Sequence, residues 1–147
     1  MYFEKLLAAD KKTDMKIPSR ELSFIKKMGV ARVATADAEG MPHVVPVCPL
    51  VEGSRIYFAS ESSARKIQNI KANPEIAIVF DEYHDSWRGL KGVMIRGRAK
   101  LVDRKIFTRV RSKLYKKYSK YESDAALEFG ESSVVEITPE GKVAWGF

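Results

Sequence analysis

The 147-residue sequence has little of what secreted, membrane and metal-binding proteins usually need. Its one cysteine, Cys48, excludes an internal disulfide and favours a reducing compartment such as the cytoplasm. No segment approaches the roughly 18 apolar residues of a membrane-spanning helix, and the first residues are too charged for a signal peptide. The two histidines, His43 and His84, form with Cys48 no spacing typical of a zinc site. We therefore expect a cytoplasmic protein with no membrane segment and no metal.

The net charge of +7 is concentrated in one segment, residues 104–120. This segment has eight basic residues and no acid, while the rest of the chain has 18 basic and 19 acidic residues. Such a helix could lie along the phosphates of a nucleic acid. It also has an apolar stripe that commits one side to packing, which makes nucleic-acid binding unlikely and a solvated basic face the simpler interpretation. The stripe consists of Ile106, Phe107, Val110, Leu114, Tyr115 and Tyr118.

Hydrophobic periodicity predicts a single α+β domain over residues 1–147, mainly β, with an antiparallel barrel and helices set apart. Helices are expected over residues 1–12, from a cap at Ser19 to a stop at Gly29, after residue 63 and after a cap at Asp103. Strands are expected at residues 31–37, 42–51, 55–59, 75–81, 92–102, 134–137 and 142–147.

Three details of these strands are specific enough to test. Prolines in the second strand, at positions 42, 46 and 49, cannot donate to a ladder, so this strand should lie at an edge or be irregular. The nearly continuous apolar run at residues 75–81 predicts burial on both faces. Turns at residues 38–40 and 139–141 should form hairpins, the first between the first two strands and the second between the last two.

Residues 55–74 contain the clearest candidate for a ligand site. They read as a strand, a polar bend at residues 60–63 and a helix stopped by Asn73 and Pro74, in which Ser62 or Ser63 can cap the first turn. Arg65 and Lys66 then place two cations at a helix N-terminus, where carboxylates are usual. Hydroxyls, free amides and two cations together suit a bound phosphate. The alternative is a capped surface helix whose basic side chains extend into water.

Three strings resemble the pyridoxamine 5′-phosphate oxidase-like superfamily of FMN-binding split barrels: RVATADAEGMPHVVPV, IYFAS with ARKIQNIKANPEIAIVFD, and GVMIRGRAKLV. The resemblance covers residues 21–102, and the terminal VAWGF adds to it. The DEYHDSW loop and the KLYKKYSKYES segment look most like the branch of deazaflavin (coenzyme F-420)-dependent enzymes. The resemblance implies an antiparallel Greek-key split β-barrel and a homodimer whose cofactor lies between the two barrels.

Matched position by position, the resemblance implies that Arg65 and Lys66 bind the cofactor phosphate. The other implied cofactor-binding residues are Ser60, Ser62 and Ser63 in the bend, Val45, Val47 and Cys48 along the ring, and the two tryptophans, Trp87 and Trp145. True pyridoxamine phosphate oxidases have Arg and Lys where this chain has Val45 and Leu50, and Gln where it has Gly92. Pyridoxamine phosphate is therefore an unlikely substrate.

The function expected from these residues is hydride transfer between a bound ring and a small conjugated substrate, with no catalytic side chain. Cys48, between Val47 and Pro49, is expected to be inert, and Trp87 to contact either the ring or a dimer partner. FMN and the deazaflavin coenzyme F-420 both present a phosphate, so either fits. The alternatives are a cofactor-binding carrier or regulator without turnover, and a nucleic-acid-binding module acting through residues 104–120.

Overall fold

A computed structural model describes residues 15–147, and the helix expected at residues 1–12 lies outside them. The described chain forms one seven-stranded antiparallel sheet with flanking helices, which confirms the mainly β, α+β class. The helices are α1 Ser19–Lys27, α2 Arg65–Ala72, α3 Arg104–Lys117 and α4 Tyr121–Asp124. The strands are β1 Ala31–Ala36, β2 Pro42–Val47, β3 Leu50–Glu52, β4 Arg55–Glu61, β5 Glu75–Glu82, β6 Lys91–Leu101 and β7 Ser132–Trp145. One turn of 3-10 helix, Trp87–Gly89, lies between β5 and β6.

The strand order, β2-β1-β5-β6-β7-β4-β3, forces the sheet to curl. Its two edge strands, β2 and β3, are joined in the chain by Cys48 and Pro49 alone. Three Cα steps span at most about 11 Å, whereas the edges of a flat seven-stranded sheet would be roughly 29 Å apart. The edges must therefore approach each other in a barrel. We call the line where they meet the seam, and β2 lies at an edge as its prolines predicted.

Helix α2 packs against the inner side of the curled sheet, and α3 covers part of its outer side. Ile67 and Ile70 of α2 are buried in the main core together with the inward side chains of the strands. Phe107, Val110 and Leu114 of α3 form a second core against the outer side of the β3–β4 region. Asp103 caps α3 as predicted, because its carboxylate accepts a hydrogen bond from the Ile106 amide at 3.0 Å.

Three predictions about the strands were wrong. The strand expected at residues 42–51 is divided at Cys48 and Pro49 into β2 and β3, which lie at the two edges of the sheet. The other two predictions failed because neighbouring structure decided the outcome. In β5 only alternate residues are buried, since Ala77 and Val79 lie on an outer face and are half-buried. The segment at residues 139–141 does not turn. It lies within a single long β7 that pairs with β6 throughout and contains a bulge at Glu140, where Arg96 faces Gly141 and Gly97 faces Pro139.

The prediction that Ser19 caps α1 was also wrong. Ser19 is the first helical residue, and Pro18 occupies the cap position without a side-chain hydrogen bond. The hairpin turn before β2 does form as expected, because the Asp37 carboxylate accepts from the Glu39 and Met41 amides, each at 2.9 Å, and Gly40 has φ of 89°. Of the helices described within residues 15–147, none has the length and apolar character needed to cross a membrane.

Candidate functional site

The start of α2 is uncapped, contrary to the sequence prediction. Its cap position is Ala64, in an extended conformation, and neither Ser62 nor Ser63 bonds to the first turn. The Ser62 hydroxyl instead donates to the Gly130 carbonyl at 2.7 Å and lies 2.8 Å from the Ser133 hydroxyl. It therefore anchors the bend to the beginning of β7, a partner 68 to 71 residues away that local pattern could not reveal.

Two cations and two backbone donors remain available at this helix start. Within residues 15–147, the amides of Arg65 and Lys66 have no hydrogen-bond acceptor, and neither side chain forms an ion pair. Arg65 is exposed, while Lys66 is half-buried. Burial lowers the pKa of Lys66, and nearby Glu61 partly opposes that shift. An anion with several oxygens would satisfy the amides and both cations at once.

The rest of α2 is held firmly, so the helix start has a fixed position. The Gln68 side chain donates to the Ser62 carbonyl at 2.9 Å and closes the bend onto the helix. On the opposite side, the Asn69 amide donates to the Thr35 hydroxyl of β1 at 3.0 Å, and both side chains are buried. The strand β4 continues to Glu61, so Ser60 lies in the strand and not in the bend expected at residues 60–63; its hydroxyl donates to the Glu61 carbonyl at 3.3 Å. Ser63 is exposed.

Val45, Val47 and Cys48 lie along the seam. Val47 is buried in the core, and Val45 and Cys48 are half-buried. In the part of the chain that the structure describes, β2 pairs only with β1, so its other backbone edge has no strand partner. Burial raises the pKa of the Cys48 thiol, and Lys117 only partly opposes this. Cys48 is therefore a neutral thiol near pH 7, which suits a strand residue and not a nucleophile.

The two tryptophans lie on the β5–β6 connection and at the end of β7, away from the bend in sequence. Trp87 is 88% exposed, so it is not a core residue of the protomer. Trp145 is 38% exposed and packs over Gly92, where any Cβ would collide with its indole ring. Gly92 is the position at which the resemblance expects glutamine. The space that a glutamine side chain would need is thus taken by Trp145.

A cavity of about 590 Å³, which the sequence did not suggest, opens beside Cys48. Lys117 is one of its lining residues, and its ammonium donates to the carbonyls of Met28 at 2.9 Å and Pro49 at 2.7 Å. The Tyr118 hydroxyl also donates to Pro49, at 2.7 Å. Burial lowers the pKa of Lys117 and raises that of Tyr121 to about 12. The complete lining is Cys48, Lys117, Tyr118, Ser119, Lys120, Tyr121, Asp124 and Ala125.

This cavity was missed because residues 104–120 were read mainly as a charged segment. The available signal was helical spacing, since Lys117 lies three residues after buried Leu114 and so shares its packed side. A second cavity, of about 270 Å³, lies on the outer face around Ala34, Ala77 and Arg96. Of these two cavities, only the one of about 590 Å³ is lined by a residue that the family resemblance places along the cofactor ring, namely Cys48.

Most of the basic side chains in residues 104–120 are used within the protein. Arg109 pairs with Glu52 at 2.9 Å, and Lys113 pairs with the same carboxylate. These contacts hold the pKa of Glu52 below its ordinary value, with the Lys113 hydrogen bond as the largest cause. Three more are engaged: Lys117 as described, Arg111 with the Leu127 carbonyl, and Arg104 over the Phe129 ring. Of the eight basic side chains, those of Lys105, Lys116 and Lys120 form no hydrogen bond, ion pair or ring contact within the described residues.

The sequence profile of the family described as pyridoxamine 5′-phosphate oxidase matches residues 18–145. The chain belongs to this family, which confirms the resemblance inferred from its motifs. One curated relative is the 5a,11a-dehydrotetracycline/5a,11a-dehydrooxytetracycline reductase of Streptomyces rimosus subsp. rimosus, 31% identical over 72 residues. The match covers 46% of this chain and 51% of the reductase, so the chain spans about half the length of this relative.

Solved structures share the fold. HutZ, the heme storage protein of Vibrio cholerae, superposes with a TM-score of 0.77 at 19% identity, covering 90% of this chain and 97% of HutZ. A FAD-binding protein of Mesorhizobium loti superposes with a TM-score of 0.69 at 23% identity, covering 88% and 95% of the two chains. At such identities the similarity establishes the split-barrel fold alone.

Proposed function

We propose that this protein is a flavin- or deazaflavin-binding oxidoreductase that transfers hydride between the bound ring and a small conjugated substrate. The observation that carries the proposal is the uncapped start of α2, where the amides of Arg65 and Lys66 have no acceptor and their side chains no ion pair within residues 15–147. The family membership supports a flavin-type cofactor. The reductase among the relatives supports a redox reaction on a conjugated molecule.

The described residues fit such a cofactor at both of its ends. Arg65 and Lys66 would hold the phosphate, and the half-buried position of Lys66 would strengthen the attraction by excluding part of the solvent. The free edge of β2 beside Val45, Val47 and Cys48 would lie along the ring. When bound, the ring supplies the hydride chemistry, and the protein supplies orientation, anchoring and exclusion of water.

The cavity beside Cys48 is the best place in the described chain for the substrate. Its walls are largely apolar and aromatic, which suits a planar conjugated molecule. An ammonium has three donors, and Lys117 uses two of them on carbonyls, so the third could donate to a substrate oxygen. The neutral thiol of Cys48 gives no nucleophile, which agrees with a reaction carried by the cofactor.

FMN is the first candidate cofactor, and the deazaflavin coenzyme F-420 is the second. Both would place a phosphate at Arg65 and Lys66. The likeness of the 83–87 loop and the 113–123 segment to deazaflavin-dependent enzymes favours F-420, while the FAD-binding neighbour favours a flavin. The fold shared with a heme storage protein favours another function, in which a bound cofactor is carried without turnover.

The absorption spectrum of the purified protein, with the mass of any ligand released on denaturation, tests these alternatives. A flavin or deazaflavin spectrum, followed by oxidation of the reduced cofactor by an added conjugated ketone, is the expected result. A protein that takes up haem but neither flavin nor deazaflavin would refute the proposal. Cofactor binding without any turnover would favour the carrier.

We also propose a homodimer formed through the outer face of the sheet. One row across neighbouring strands on this face consists of Val44, Ala34 and Ala77, and Val44 is 66% exposed. A second copy of the chain would cover this face. It would also enclose the side of the cofactor ring that the edge strand β2 leaves open. Val44→Glu should convert the dimer to a 16.6 kDa monomer in sedimentation and weaken cofactor binding, because a charge would be buried unpaired.

The matched control for this variant is Ser112→Glu, which places the same charge on the exposed side of α3. It should sediment as the parent does. A parent that is monomeric at micromolar concentration and still binds the cofactor tightly would contradict the dimer.

A further inference from the structure

Lys117 carries a half-buried charge that has no anionic partner in the described chain. Its ammonium donates to the carbonyls of Met28 and Pro49, and it lies 5.2 Å from the centre of the Tyr118 ring. These partners are all neutral, and within residues 15–147 no carboxylate lies within ion-pair distance of the ammonium. Its third proton has no acceptor there either. Removing a cation from water is costly unless an opposite charge replaces the lost solvation.

Three ionisable groups that share the cavity with Lys117 do not supply this opposite charge. They are the thiol of Cys48 and the hydroxyls of Tyr118 and Tyr121. Burial is the largest cause of a raised pKa at each of the three. A thiol and two phenols whose pKa values are raised are neutral near pH 7.

Two charged side chains complete the lining and leave its charge positive. The Asp124 carboxylate is exposed, accepts a hydrogen bond from the Ser123 hydroxyl at 3.0 Å, and forms no ion pair with Lys117 within residues 15–147. Lys120, whose side chain is exposed, adds a second cation. The lining therefore has two positive charges and one negative charge, which favours an anion in the cavity.

We propose that this cavity selects a planar conjugated molecule that is ionised on oxygen, a phenolate or an enolate, and that Lys117 binds the charged oxygen. This rests on the proposed function, because it takes the cavity as the place of the substrate. The aromatic walls suit a flat molecule, and a volume of about 590 Å³ accommodates one of drug size. A charge-assisted hydrogen bond from the ammonium distinguishes an ionised oxygen from a neutral one. Lys117 thus determines specificity, and the substrate class is narrowed to acidic phenols and enols.

4-Nitrophenol is a suitable probe, because it is planar and conjugated and ionises near neutral pH. Equilibrium dialysis of the purified protein below and above the pKa of the probe gives the affinities of the phenol and of the phenolate. The phenolate should bind about tenfold to a hundredfold more tightly, the ratio expected from one charge-assisted hydrogen bond. 4-Nitroanisole has the same ring and cannot ionise, so its affinity should be the same at both pH values.

Lys117→Met removes the charge and keeps an unbranched side chain of similar length. It should abolish the preference for the phenolate and leave the affinity for the neutral phenol almost unchanged. The matched control is Lys116→Met. Lys116 is exposed and does not line the cavity, so this variant should keep the preference of the parent.

Three results would overturn the inference. A parent that binds phenol and phenolate equally has no site for a charged oxygen. A Lys117→Met variant that keeps the preference places the anion elsewhere, and a Lys116→Met variant that loses it shows a general attraction to the basic segment. The dialysis needs no bound cofactor, so the two proposals fail separately. A protein that prefers the phenolate but takes up neither flavin nor deazaflavin keeps this site while the proposed function fails.

The single thiol of the chain covers the case in which Lys117→Met does not fold. Cys48 lines the cavity, so a molecule bound there should slow its alkylation by iodoacetamide, which mass spectrometry measures. Above the pKa of the probe, 4-nitrophenol should protect Cys48 of the parent at a concentration about tenfold or more below that needed with 4-nitroanisole. Equal protection by both molecules, or protection by neither, would contradict the proposed site.

Discussion

Helices α2 and α3 both begin with two basic residues, but the two pairs have different surroundings. α3 is capped by Asp103, and Arg104 packs over the Phe129 ring. α2 has no side-chain cap, and neither Arg65 nor Lys66 has an ion-pair partner within the described chain. The segment with the larger positive charge thus has most of its cations engaged, while in the described chain the shorter helix begins with two cations that have no ion pair and two amides that have no acceptor.

This difference shows that the number of cations is a poor guide to an anion site. Contacts with Glu52, backbone carbonyls and aromatic rings make α3 a structural element that closes the seam around β3. Within residues 15–147, the side chains of Arg65 and Lys66 at the start of α2 form no hydrogen bond or ion pair. A phosphate there would complete hydrogen bonds that the protein leaves open, and this distinguishes a binding site from a basic surface.

The largest expected effect is on cofactor binding at α2. Arg65→Ala with Lys66→Ala should weaken FMN binding by two or more orders of magnitude, because each charge-assisted contact contributes about 1.5 to 3 kcal/mol. The affinity for riboflavin, which has no phosphate, should decrease little. Fluorescence titration of both ligands gives the two dissociation constants.

The matched control is Lys105→Ala with Lys116→Ala, which removes two free cations from α3. This pair should leave FMN binding unchanged. If the two α3 substitutions weaken FMN binding as much as the two α2 substitutions do, or if riboflavin binding weakens by the same factor as FMN binding, the inferred difference between the two helices is wrong.

A smaller effect is expected at Glu52, which pairs with the α3 cations. Its pKa is lowered in the folded protein, so its stabilising contribution is present at neutral pH and is lost as pH falls below roughly 4.5. Glu52→Gln should therefore reduce the free energy of unfolding by about 1 kcal/mol at pH 7 and by almost nothing near pH 3. Denaturant unfolding at both pH values measures this.

Glu122→Gln is the control for that measurement, because Glu122 is exposed and has no ion pair in the described structure. Its effect on stability should be small at both pH values. If Glu52→Gln changes the free energy of unfolding by the same amount at pH 7 and at pH 3, the ion pairs between Glu52 and α3 do not stabilise the protein.

The smallest expected effect is on nucleic acid. With five of the eight cations of residues 104–120 engaged internally, binding of a duplex or single-stranded oligonucleotide should be weak and should vanish at moderate salt. A fluorescence-anisotropy titration at physiological salt tests this. Submicromolar affinity under that condition would make nucleic-acid binding the primary function.

Local pattern was sufficient for much of the fold. Prolines placed β2 at an edge because they cannot donate to a ladder, Asp103 marked the start of α3, and the turn at Gly40 followed from residues able to adopt it. The motifs also identified the family, and the residues of the α2 start were found from charge and helix electrostatics. Each of these depends on interactions within a few residues of chain.

The tertiary structure decided which of these local possibilities were realised. Ser62 looked like a helix cap and instead bonds to Gly130, and the expected turn near Glu140 is a bulge because β6 pairs along the whole of β7. Local sequence sets the conformations that a segment can adopt at low cost. Contacts between segments far apart in the chain determine which faces are covered, which cations are neutralised and which polar atoms, such as Nδ1 of His43, are buried without a partner in the described chain.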